Sequence, residues 1–280
     1  MKIEKTKIIA DSSSDVLSLN DIAFGNAPLK IVTDTKEYTD NEFLDVKQMV
    51  EELRVYKGKS STSCPNPSDW LNSFGDAENV FCITITAALS GSYNAACIAK
   101  ATYEETYPDR RVFVINSRST GPEMYLIIEK LTEFIKEGLD FETVCQKLVE
   151  YQNSTGLIFI LQSMINLANN GRVSHIAAKM AGFLGIRAIG KASEQGTLEM
   201  LEKCRGENKT AEEIVKQLKL NGYRGGKIRL SHCLADGWAE KMREIIVNEF
   251  TPADIKVYSC RGLCSFYAES GGLLIGFEKE

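Results

Sequence analysis

The strongest constraint on this chain is an alternation. In its first half, short apolar runs, several ending in hydroxyl-rich turns, alternate with amphipathic stretches. Lys7 to Ala10 reads as a strand ending at Asp11-Ser12-Ser13-Ser14, and Leu29 to Thr33 as another. Asp40 is placed to cap a helix whose apolar positions Phe43, Leu44, Val46, Met49, Val50 and Leu53 keep helical spacing. Pro67 suits the first turn of a short helix through Trp70 and Phe74. Val80 to Ile85 is apolar and β-branched enough for a buried strand, with a helix from Ser92 to Tyr107 directly after Leu89-Ser90-Gly91. Val112 to Ile115 repeats the pattern, followed by Asn116-Ser117-Arg118-Ser119, a helix from Pro122 to Lys136, and another starting at Asp140. Alternating strands and helices of this βαβ kind bury a parallel sheet between two helical layers, so the expected fold is an α/β N-terminal domain with three layers, α/β/α.

From Gly156 the texture changes. Leu157 to Leu161 is a strand candidate, and Gln162 to Asn169 a short helix stopped at Asn170-Gly171. Ser174 is placed to cap the Ala-rich segment Ile176 to Ala181. Ile186 to Lys191 and Thr197 to Lys203 flank the turn Glu194-Gln195-Gly196 and read as a hairpin. Thr210-x-x-Glu213 has the capping-box spacing for a helix to Leu220, Lys227 to Cys233 is a strand, and Ala235 to Glu249 a helix. Ile255 to Ser259 and Leu273 to Phe277 are the closing strands. This half reads as a second, smaller α+β domain of two layers, a mixed sheet with helices on one face. The boundary falls near residue 155, giving domains 1–155 and 156–280. No linker rich in Gly, Ser or Pro separates them, so they are expected to pack firmly.

Composition excludes several functions. Across 280 residues the net charge is −5, and no Lys/Arg cluster offers a nucleic-acid footprint. The charged start, Met1 to Lys7, lacks the apolar core of a secretion signal. The uncharged stretches Val80 to Ala99 and Tyr151 to Gly171 are interrupted by Ser, Thr, Asn, Gln or Gly, so no integral membrane segment is expected and the location is expected to be cytoplasmic. Eight cysteines without a C-x-x-C pair suit reduced thiols. Cys260-x-x-x-Cys264 has no second Cys or His pair at zinc spacing, so no metal is expected. Neither nucleotide-binding glycine motif is present, and no cofactor is expected.

Open parallel sheets bind ligands beyond the carboxyl ends of their strands. Those ends are expected to carry Asp11-Ser12, Ser61-Thr62-Ser63, Ser90-Gly91-Ser92 and Asn116-Ser117. Ser90-Gly91 also opens a helix, whose free amides and partial positive charge suit a carboxylate or phosphate. For any single Ser or Thr of the set, the ordinary reading is a cap or turn former. A serine-dependent acyl hydrolase or transferase is the alternative use of such a cleft. Against it, Leu89-Ser90-Gly91-Ser92-Tyr93 lacks the G-x-S-x-G elbow, and His175 and His232, the only imidazoles, sit where caps or buried structural histidines do. Cys64 lies in the proposed site with nothing nearby in sequence to activate it. Arg172, after a helix-ending glycine, is either solvated or reaches an anion or partner across the junction. Gly271-Gly272 marks a turn or a close backbone approach.

In these residues the chain resembles the DegV family of bacterial fatty-acid-binding proteins. Asp11-Ser12-Ser13-Ser14-Asp15 is similar to the family's D-S-T/S-x-D, and Ser61-Thr62-Ser63-Cys64-Pro65 to its T-S-Q-P-S segment. Leu89-Ser90-Gly91-Ser92-Tyr93 resembles L-S-G-T-Y, Asn116-Ser117-Arg118 takes the place of D-S-R, and Asn170-Gly171-Arg172-Val173-Ser174 resembles G-G-R-I-S. The resemblance implies a fatty acid held between two α/β domains, its carboxylate on Thr62 and Ser90. It also implies a carrier rather than a catalyst, with a fatty acid kinase subunit as partner and Arg172 facing that partner or a phosphate. Two departures stand out. Cys64 replaces the family's Gln, and Tyr267 replaces a histidine near the headgroup. A tyrosine donates to a carboxylate but carries no positive charge near pH 7. Ser12, Ser63, Gly91 and Ser117 complete the expected ligand-binding set.

Overall fold

The computed structural model describes residues 1–174 and 185–280. The first half contains strands β1 (Thr6–Asp11), β2 (Ala23–Ala27), β3 (Lys30–Thr33), β4 (Glu37–Thr39), β5 (Ser60–Ser63), β6 (Asn79–Thr84) and β7 (Arg111–Asn116). Its helices are α1 (Val46–Val55), α2 (Pro67–Phe74), α3 (Ser92–Thr106), α4 (Gly121–Lys136) and α5 (Phe141–Asn153). A parallel sheet in the order β2-β1-β6-β7 is covered on both faces. The strand pleat sorts the side chains. Ile9, Val80 and Cys82 pack with Trp70 and Phe74 of α2 and Ala96 and Tyr103 of α3. Ile8, Phe81 and Ile83 face Ile127 and Leu131 of α4 and Val144 and Leu148 of α5. These are the three layers expected from the alternation.

Two expectations for this half are corrected. Leu29 to Thr33 does not join the parallel sheet. Its strand, β3, is the centre of a small antiparallel sheet, β4-β3-β5, so Ser61-Thr62-Ser63 lies on a strand rather than in a turn after one. Asp40 does not cap α1 either. The helix begins at Val46, capped by Asp45, whose carboxylate accepts the Gln48 amide at 2.9 Å.

The second half contributes β8 (Thr155–Leu161), β9 (Ile186–Ala192), β10 (Leu198–Arg205), β11 (Gly226–His232), β12 (Ala253–Ser259) and β13 (Leu273–Glu278). Its described helices are α6 (Ile165–Asn169), α7 (Glu207–Leu220), α8 (Asp236–Glu249) and α9 (Gly262–Ala268). The sheet runs β10-β9-β8-β13-β11-β12, parallel only between β11 and β12, and β9 and β10 form the expected hairpin. Ile158, Ile160, Ile189 and Ile275 face Ile214 and Leu218 of α7 and Trp238 and Met242 of α8. The alternate residues Leu157, Phe159 and Leu161 face the other way, toward the first half. There α4 sits so close that a Cβ on Gly276 would lie 2.6 Å from the Pro122 carbonyl oxygen. The predicted capping box does not form. Helix α7 starts at Glu207, Thr210 donates to the Gly206 carbonyl at 2.7 Å, and Glu213 bonds Lys216 and Gln217. His175 and the predicted helix Ile176 to Ala181 lie outside the described residues. Among those residues, no helix is long and apolar enough to cross a membrane.

Helix α9 has no counterpart in the sequence reading. Its seven residues are almost all buried, and its caps come from far away in the chain. Asp40 accepts the amides of Gly262 and Leu263, both at 2.8 Å, and Asp15 accepts that of Arg261 at 2.7 Å. A second tie joins α4 to the mixed sheet, where buried Arg229 bonds Glu129 at 2.8 Å and Asp254 at 3.1 Å.

Candidate ligand-binding site

Between the loops of the parallel sheet and the inner face of the mixed sheet lies a cavity of about 310 Å³. Leu157, Phe159 and Leu161 of β8, Leu274 of β13, Leu198 of β10 and Leu263 of α9 form apolar walls. The pleat that sends Ile158 and Ile160 into the α7/α8 core sends these β8 residues here.

One group of polar lining residues gathers where β5, the start of α3 and α9 meet. Thr62 Oγ1 and the Tyr267 hydroxyl are 2.7 Å apart. Burial pushes the Tyr267 hydroxyl up from its ordinary value, against the opposing bond to Thr62 and the charge of Arg172, so it stays neutral and able to donate. Ser63, Cys64, Ser90, Gly91 and Arg172 also line the cavity. A Cβ on Gly91 would come within 3.2 Å of the Cys64 sulfur, so the turn into α3 presses against the end of β5. Ser90 accepts the Ser92 amide at 3.3 Å, which makes it a turn former that also faces the cavity. Asn170 donates to the Ser60 carbonyl at 3.3 Å, and Arg172 folds back onto the Asn170 carbonyl. The arginine loop is thereby tied to β5 rather than left in solvent.

Asp11 holds this end together. One carboxylate oxygen accepts the Ile85 amide at 2.8 Å and the Ser92 hydroxyl at 2.6 Å, and the other accepts from Ser13. The end of β1 is thus fastened to both ends of the segment that carries Ser90 and Gly91. Burial pushes the Asp11 carboxyl up to about 6, with the hydrogen bonds from Ser13, Ser92 and Ile85 opposing.

Two of the expected ligand hydroxyls are bonded within the protein and do not line the cavity. Ser12 is buried away from the cavity and accepts the Leu29 amide at 3.0 Å. Ser117 closes a turn on Ser119, accepting its amide and donating to its carbonyl, both at 3.0 Å. Both positions show the contacts of an ordinary Ser at a strand end.

His232 is buried, accepts the Ala235 amide at 3.3 Å, and does not line the cavity. Burial lowers its pKa, with Asp236 and Glu240 opposing. Cys260 donates to Ser231 at 3.3 Å and Cys264 to the Ser13 carbonyl at 3.3 Å, each as a buried thiol. Among the described residues, no group of three His, Cys, Asp or Glu is placed to hold a metal ion. Gly271 is a close approach, since a Cβ there would meet the Gln162 amide at 2.3 Å.

The sequence reading missed the opposite rim. The hairpin turn between β9 and β10 reaches the first half, where a Cβ on Gly196 would lie 2.1 Å from Thr86 Oγ1 and 3.0 Å from the Arg118 backbone. Thr86, Arg118, Ser119 and Thr120 line the cavity beside that turn. The turn itself is legible in the sequence, but nothing there says what it touches.

A largely apolar pocket between a parallel and a mixed sheet, headed by hydroxyls and an arginine, defines a class of two-sheet α/β binding folds. The family model described as "Uncharacterised protein, DegV family" matches residues 5–280, and the chain belongs to the DegV family. A DegV domain-containing protein of Streptococcus pneumoniae is 42% identical over 276 residues, covering 97% of this chain and 98% of the relative. The crystal structure of a DegV family protein from Eubacterium eligens loaded with heptadecanoic acid superposes with a TM-score of 0.97 at 42% identity, covering 98% of this chain and 100% of that one. The Streptococcus pneumoniae Fatty Acid Kinase (Fak) B3 protein loaded with linoleic acid gives 0.96 at 42% identity, covering 98% and 99%.

Proposed function

We propose that this protein holds a long-chain fatty acid between two domains, 1–155 and 156–280, and presents its carboxylate to a fatty acid kinase. One observation carries the reading. The described lining of the cavity combines apolar walls, hydroxyls and two arginines, Arg118 and Arg172, with no Asp, Glu or His. Such a surface favours an anion with an apolar body. The solved relatives loaded with heptadecanoic and linoleic acids support the ligand class, and the Fak B3 relative supports a kinase partner.

In this reading Thr62, Ser90 and Tyr267 donate to the carboxylate, Ser63 and the Gly91 amide lie beside it, and Arg172 faces the partner or the phosphate it transfers. The chain acts as a carrier, and the partner supplies the phosphoryl chemistry. A hydroxyl bonded to a carboxylate contributes about 1.5 to 3 kcal/mol. Burying roughly sixteen CH₂ groups at ~0.8 kcal/mol each gives a gross term near ~13 kcal/mol. The tail therefore sets affinity, and the head sets position. Hydrolase chemistry at Ser90 would need a base that the described lining does not supply.

Organic extraction of the purified protein followed by mass spectrometry is expected to recover a long-chain fatty acid, about one per chain. Recovery of none, together with no uptake of added oleate by the delipidated protein, would overturn the proposal.

A further inference from the structure

We propose that Asp40 positions the acid-binding head of the pocket from outside it, acting through α9 on the Tyr267 hydroxyl. The inference rests on the fatty-acid reading above for its ligand. Asp40 is fully buried, does not line the cavity, and has both carboxylate oxygens occupied by consecutive amides, those of Gly262 and Leu263. These are the first two residues of α9. Leu263, Cys264, Tyr267 and Ala268, on one face of the same helix, line the cavity.

A helix of seven residues does not hold its own orientation. Its direction depends on what anchors its ends, and here the N-terminal anchor is a carboxylate delivered by the loop after β4. The fit is tight. A Cβ on Gly262 would lie 2.7 Å from Asp40 Oδ1 and 2.6 Å from a Leu44 methyl, so this residue has no side chain and the carboxylate fills the space. One helical turn further on, the Tyr267 hydroxyl meets Thr62 at 2.7 Å. A small tilt at Gly262 therefore moves the hydroxyl away from Thr62. An amide in place of the carboxylate keeps one acceptor and turns an NH₂ toward a backbone N–H, so it cannot hold both amides.

The test is a double-mutant cycle read by titrating delipidated protein with a fluorescent polyene fatty acid. Asp40→Asn is expected to weaken binding about fivefold or more when Tyr267 is present, and less than about twofold in the Tyr267→Phe background. Gly262→Ala, which displaces the carboxylate without removing its charge, is expected to give the same pattern. Equal losses in the two backgrounds, or no loss with Tyr267 present, would overturn the positioning role while leaving the fatty-acid reading intact. Failure of the native protein to bind the probe would instead overturn that reading, and this inference with it. A measurement on the native protein covers the case of variants that do not fold. Binding and anchoring are reciprocal, so the Gly262 and Leu263 amides are expected to exchange hydrogen more slowly when the fatty acid is bound. An unchanged rate overturns the proposal.

Discussion

Thr62 and Tyr267 share a hydrogen bond of 2.7 Å across 205 residues of sequence, joining an edge strand of the small antiparallel sheet to a helix of the second half. One hydroxyl donates and the other accepts in that bond, and an incoming carboxylate would accept from both once it draws them out of their mutual bond. Replacing Thr62 by Val and Ser90 by Ala removes two donors and little volume. The pair is expected to weaken fatty acid binding tenfold or more, with melting temperature and far-UV dichroism unchanged. Unaltered affinity in a calorimetric titration would remove these residues from the head of the site.

The opposite rim depends on Gly196. Its φ of +79° is a left-handed conformation, and its missing side chain lets the hairpin turn rest on Thr86 and Arg118. Gly196→Ala combines backbone strain of about 1 kcal/mol or more with a clash against Thr86. The expected result is a melting temperature lower by several degrees and faster release of bound fatty acid in a stopped-flow chase. Release at the native rate would show that the turn does not close the pocket.

Asp15 predicts a pH dependence. Burial pushes its carboxyl from 3.8 up to about 7, the Arg261 amide opposes this, and neighbouring Asp40 adds to it. A folded-state value above the unfolded one means that the folded protein binds more protons between the two. The contribution to stability is then fully present below about 3.8 and is lost as pH rises through about 7. Between these limits the slope is about 1.4 kcal/mol per pH unit. Denaturant melts of the native protein and Asp15→Asn at pH 5, 6, 7 and 8 are expected to show their difference moving in favour of the native protein as pH falls. A difference independent of pH refutes the assignment.

Cys64 offers a reporter. It is an exposed free thiol in the cavity lining beside Gly91, whereas Cys82, Cys233, Cys260 and Cys264 are buried. A small alkylating reagent, followed by peptide mapping, is expected to modify Cys64 at least about fivefold more slowly when fatty acid saturates the protein. Equal rates with and without ligand would place the ligand elsewhere.

Much of the fold follows from local pattern. Strand pleat and helical spacing announce β1, β6, β7, the helices α2 to α5, and the β9/β10 hairpin, because each depends on residues close in sequence. The weak strand β2, with Gly25 and Asn26 at its centre, carries no such signal and forms only by pairing with β1. Helix α9 is invisible for a related reason. Its caps, Asp15 and Asp40, lie more than two hundred residues away, and Asp40 in sequence resembles the cap of the nearby α1.

The same division runs through the site. Sequence by itself determined the class of chemistry, since hydroxyl-rich segments, few histidines and the five family-like motifs together named Thr62, Ser63, Ser90, Gly91 and Arg172, and the departure from the family's headgroup histidine named Tyr267; all six line the cavity. It could not separate these from Ser12 and Ser117, because a serine at a strand end looks alike whether it bonds a neighbouring amide or faces a pocket. Only the tertiary structure decided that. It did so by bringing Leu29 to Ser12, Ser119 to Ser117 and Tyr267 to Thr62, since a hydroxyl's role is fixed by the partner that reaches it.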